Sequence, residues 1–117
     1  MIRDNIFQLA YLTNDIDRAM AQFRSKAPIR TEFYFEVDID IVRPSGPGRL
    51  QNKMAFMWVG DFQYELIQPI AGLEDIFGAY VPKDEALTFY HTCARIEDWI
   101  EFRKAVDDQP YPIAFEG

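Results

Sequence analysis

The sequence predicts an α+β protein built from two related modules, each opening with a strand and a helix, the second of them incomplete. Three observations lead there. Short runs rich in aromatic and β-branched residues are separated by Gly, Pro and Ser breaks. Residues 16–27 carry a helical period. The pattern that opens the chain, a strand followed by an acidic cap and a helix, returns 83 positions later.

The elements follow in order. FQLAYL (7–12) is short, apolar and aromatic and predicts a strand, after which Thr13-Asn14-Asp15 supplies residues that cap a helix start. The helix is IDRAMAQFRSKA (16–27): Ile16, Ala19, Met20 and Phe23 fall on one face, and Pro28 marks its end. TEFYFEVDI (31–39) predicts a second strand. RPSGPGRLQN (43–52), dense in turn-forming residues, reads as a loop. KMAFMWVG (53–60) and DFQYELIQP (61–69) read as two more strands with a turn at Gly60-Asp61. Module one is therefore β-α-β-β-β, over about residues 7–70. Residues 71–88 form a connector with a short helical piece near LEDIFGAY, interrupted by Pro82. Module two, over about 89–117, has room for a strand, a helix and one further strand through YPIAFEG. The two modules make one domain, 1–117, and 49% hydrophobic content supplies its core.

The repeat lays Gln8 on His91, Asp15 on Asp98, Ile16 on Trp99, Ala19 on Phe102 and Phe23 on Val106. Side chains alternate across a strand, so Phe89, His91, Cys93 and Arg95 are expected on one face. In the first copy Phe7, Leu9 and Tyr11 are the better candidates for the helix-covered side, which leaves Gln8 and His91 on the opposite side. The same alternation groups Gln63, Glu65 and Ile67 and places a carboxylate among apolar neighbours. A buried carboxylate needs a partner, and Arg95 is one available choice. Cys93 reads as a small buried hydrophobe, and Tyr34, Phe56 and Trp58 as candidates to line an apolar pocket together with Cys93 and Arg95.

Charge and composition exclude some classes. A net charge of −7, from 19 acidic against 12 basic residues, disfavours nucleic acid, and there is no apolar run of membrane-spanning length. Met1 is followed closely by Arg3 and Asp4 rather than by a signal peptide's apolar run, and a single cysteine forms no internal disulfide. A cytoplasmic location is expected.

FQLAYLTNDIDRAM, YELIQP and YHTCARIEDW, in that order and separation, resemble the opening strand, cap and helix, the fourth strand and the start of the second module in the vicinal oxygen chelate superfamily. This is the superfamily of glyoxalase I, methylmalonyl-CoA epimerase, extradiol dioxygenases and bleomycin-resistance proteins. The resemblance implies a curved mixed sheet with a concave cleft. It also implies a divalent metal (Zn, Ni, Co or Mn) held by residues at the matching positions, Gln8, Glu65 and His91. A neutral amide oxygen, a carboxylate and an imidazole are a suitable donor set for such ions. With a single histidine the chain departs from the two-histidine pattern of ring-cleaving dioxygenases. The 29 residues from Phe89 to Gly117 also offer no match for the strand that carries the family's last glutamate, ligand and base, which is then expected from a longer protein or a partner subunit or is lost with the chemistry, and Glu65 is left as a candidate catalytic group. Expected from the resemblance are a lyase or isomerase that moves a proton on a small oxygenated substrate, and a homodimer. The alternatives are a metal-free small-molecule binder of the bleomycin-resistance type, a dioxygenase, and a non-catalytic domain whose open sheet pairs with another chain.

Overall fold

A computed structural model describes residues 5–72, 74–84 and 86–116. Met1, Arg3, Asp4, Leu73 and Gly117, which entered the expectations above, lie outside them. The elements are β1 (Ile6–Leu12), α1 (Ile16–Lys26), β2 (Thr31–Arg43), β3 (Gly46–Val59), β4 (Phe62–Ala71), a π-helical turn (Glu74–Gly78), β5 (Thr88–Ala94) and α2 (Trp99–Asp108). The strands form one open mixed sheet in the order β2-β3-β4-β1-β5. β1 runs parallel to β4, and every other neighbouring pair is antiparallel. The α+β class and the mixed sheet are as the sequence predicts.

Local chemistry starts and seats α1. The Asp15 carboxylate accepts from the Arg18 amide at 3.1 Å, satisfying one of the unpaired donors of the first turn. The Ile16 amide donates to Gln68 Oε1 at 2.9 Å and ties the helix start to β4. Ile16, Ala19 and Met20 are buried against Ala55, Met57 and Leu66, with the rings of Tyr11, Phe23 and Tyr64 around them. This is one of two cores. The other lies on the opposite face of the sheet, where Ala10, Leu12, Ile41, Leu50, Met54 and Ile67 are covered by Phe77 of the π-helical turn, with Ile76, Val81, Tyr90 and Phe115. The connector is thus a cover for part of that face.

Three expectations change. The predicted loop at 43–52 is almost all strand: β2 and β3 form one long hairpin whose turn is Pro44-Ser45, with Arg43 opposite Gly46. Pro47 is tolerated because β3 pairs with β4 only from Gln51 onward, so the lost donor faces an unpaired edge. Among the described residues of YPIAFEG there is no strand: Glu116 makes a single antiparallel bridge to Val42, and Phe115 packs on Phe77. In β5, Tyr90 is the extra residue of a β-bulge, because Ala10 stands opposite His91 but Tyr11 opposite Phe89. Phe89 therefore joins Tyr11 on the α1 side and does not share His91's face, while Tyr90 meets Phe77 on the opposite side.

The repeat has a geometric counterpart. β1 and β5 are antiparallel neighbours with Gln8 opposite Cys93 and Ala10 opposite His91. A local two-fold axis relating positions 83 apart requires that register. Asp98 caps α2 as Asp15 caps α1, accepting from the Glu101 amide at 3.0 Å. The likeness ends at packing: α2 has no buried residue, and Trp99, Phe102 and Val106 line a shallow cavity with Ile113 and Phe115. Of the two helices, α1 alone packs its apolar face on the sheet.

Candidate functional site

Register across all five strands assembles the site. One transverse row reads Phe33, Phe56, Glu65, Ala10, His91 from β2 to β5, and the next reads Thr31, Trp58, Gln63, Gln8, Cys93. Residues directly opposite one another share a face, so both rows lie on the side away from α1. Gln8, Glu65 and His91 thus face the same way, although they come from three strands.

Glu65 and His91 flank the fully buried Ala10, whose small side chain lets them meet above it, with Glu65 Oε2 3.4 Å from His91 Nε2. The carboxylate side chain is only 10% exposed and the imidazole 40%, so the pair has a recessed anionic end and a solvent-facing end. Gln8 is buried, and its Nε2 donates to Gln63 Oε1 at 2.6 Å. That bond orients the amide and leaves Oε1 as the atom able to accept or ligate. Gln63, which sequence reasoning passed over, is therefore the residue that positions Gln8.

The other predicted site residues divide. Phe56 and Trp58 lie on the site face, next to Glu65 and Gln63 respectively. Cys93 is half-buried beside Gln8, and burial, with Glu65's negative charge as the second cause, pushes its thiol up from its ordinary range. A protonated thiol is a poor nucleophile and a poor ligand. Tyr34 is on the wrong side: it pairs with Ala55 of the helix-side core, and Arg24 of α1 donates a hydrogen bond to its hydroxyl. Arg95 is not the partner of Glu65. Its guanidinium lies over the Phe7 ring, 4.6 Å from the centroid, and its amide donates to the Asn5 carbonyl.

Among the described residues, no three His, Cys, Asp or Glu side chains come together as a metal-ligand cluster. A three-ligand set on this face therefore needs the amide oxygen of Gln8. Among the described residues, too, no helix is long and apolar enough to cross a membrane. Compared with protein-family models and with curated protein sequences, the chain matches none.

Proposed function

We propose that Gln8, Glu65 and His91 hold a divalent cation against a small oxygenated substrate, and that the protein is a lyase or isomerase of the vicinal oxygen chelate type. The observation that carries this reading is the Glu65–His91 separation of 3.4 Å. Two donors each about 2.1 Å from a tetrahedral ion stand about 3.4 Å apart, so the two side chains already have the spacing of ligands to one ion. The donor types fit as well. A cation there would supply Lewis-acid polarisation of a substrate oxygen. Glu65 contributes the fixed negative charge, Gln63 holds the Gln8 amide in place, and the half-exposed His91 leaves the approach open on the β5 side. Of the two rows, Glu65 is the only carboxylate able to take up a substrate proton. A homodimer and a cytoplasmic setting belong to the same reading.

Thermal melts test it. Zn²⁺ is expected to raise the melting temperature of the parent protein and to leave Glu65→Gln unmoved. In chelator the variant should melt within a few degrees of the parent, because the amide keeps the volume of the carboxylate and its oxygen still accepts from His91. A second reading has its own support: the same contact satisfies both groups without a metal, which suits a metal-free binder. No Zn²⁺ shift in the parent, together with no bound metal after purification, would select that reading.

A further inference from the structure

The site face is divided by chemistry along its transverse rows. Toward β2 and β3 it presents Phe33, Phe35 and Phe56, the last two with ring centroids 5.2 Å apart. Toward β4, β1 and β5 it presents the Glu65–His91 pair, which meets over the buried Ala10. The connector and Phe115 cover the neighbouring rows of Leu12, Ile67 and Met54, yet Phe33 remains 56% exposed and Phe35 40%. Strands are spaced about 4.8 Å apart, so Phe56 on β3 and the Glu65–His91 contact above Ala10 on β1, two strands away, are separated by roughly 10 Å. A ring bearing a short oxygenated arm spans that distance.

We infer that the ligand of this face is a small oxygenated molecule carrying an aromatic ring, with the ring against Phe33, Phe35 and Phe56 and the oxygens at the Glu65–His91 pair. This rests on the reading of the pair as the polar end of a ligand site and adds the class of molecule it takes. Continuity of the wall with a recessed carboxylate favours this occupant over a second protein surface. Aromatic rings stack offset or edge-to-face on one another with a preference beyond their buried area, which a saturated ring cannot supply.

The test uses the full chain with Trp99→Phe, which leaves Trp58, beside the wall, as the only tryptophan of the original two. Its fluorescence is followed during titration with 1-phenylethane-1,2-diol and with 1-cyclohexylethane-1,2-diol, each with and without Zn²⁺. Area burial alone favours the more apolar cyclohexyl ring, so the expected order, phenyl tighter by about fivefold, has the opposite sign. Phe33→Leu and Phe56→Leu should remove the preference. Phe33 is too exposed for its replacement to unfold the core, so a persistent preference in that variant counts against the wall. Equal or reversed affinities, or no response to either diol, overturn the inference even when Zn²⁺ raises the melting temperature. A phenyl preference without any Zn²⁺ shift upholds it and removes the metal reading instead. A parent dimer that Phe33→Leu dissociates, with neither diol bound, would make a second copy the occupant and overturn it.

Discussion

Ala10 contributes more to the candidate site by what it lacks than by what it carries. It is fully buried, and it stands between Glu65 and His91 in the register, so any larger side chain presses on both and pushes them apart. Ala10→Val is expected to cost about 1–3 kcal/mol by overpacking and to abolish the Zn²⁺-induced rise in melting temperature. An undiminished rise would place the cation elsewhere. Cys93 gives a second measurement at this scale. Its thiol is held above its ordinary value of 9.0 first by burial and then by Glu65, so the folded protein at pH 8.5 should react with iodoacetamide more slowly than the urea-unfolded chain. Equal rates would mean an ionised, accessible thiolate.

The two helices make a controlled comparison between elements. Asp15 and Asp98 cap them with the same hydrogen bond, yet α1 buries three residues and α2 none. Loss of either cap costs its helix about 1 kcal/mol. Asp15→Ala should therefore lower the global melting temperature by several degrees, whereas Asp98→Ala should weaken helical circular dichroism and amide protection in α2 with little global effect. Matching global losses would show that α2 is coupled to the core. At the end of β4, Gly72 has φ +104°, and an added Cβ would overlap the backbone carbonyl of Arg49. Gly72→Ala is expected to destabilise by about 2–4 kcal/mol in chemical denaturation, because both the conformation and the space are denied to alanine.

For the molecule as a whole, stability rests on the two apolar layers pressed against opposite faces of one sheet. Leu66, fully buried under α1, is expected to cost about 2–5 kcal/mol on truncation to Ala, read from urea unfolding, while Ile100→Ala at an 83% exposed position should be nearly neutral. The exposed ion pairs add little at neutral pH. Arg24 holds the Glu32 carboxyl below its ordinary 4.5, so its small contribution is present above about pH 4.5 and fades as pH falls through the lowered value. Glu32→Gln should accordingly melt slightly below the parent at pH 7 and converge with it as the pH falls below 4.5, and a difference that persists in acid would point to a role other than the ion pair.

The sequence by itself determined what depends on short-range chemistry. The span of α1, both aspartate caps and the turn at Gly60 follow from helical period, capping and turn chemistry, each settled within a few residues. Tertiary structure decided whatever depends on a partner far along the chain. The hairpin runs straight through Pro47 and Gly48 because pairing with β2 outweighs local turn preference. The bulge at Tyr90 exists because β5 must meet β1, and it moved Phe89 to the other face. Tyr34 belongs to α1 because of the register between β2 and β3, and that same register lines Phe33 and Phe56 up with Glu65. Arg95 found Phe7 rather than Glu65, and a carboxylate on β4 met an imidazole on β5 only because an alanine on β1 lies between them. Alternation tells a strand which way its side chains point, but only the pairing of strands tells them what they meet.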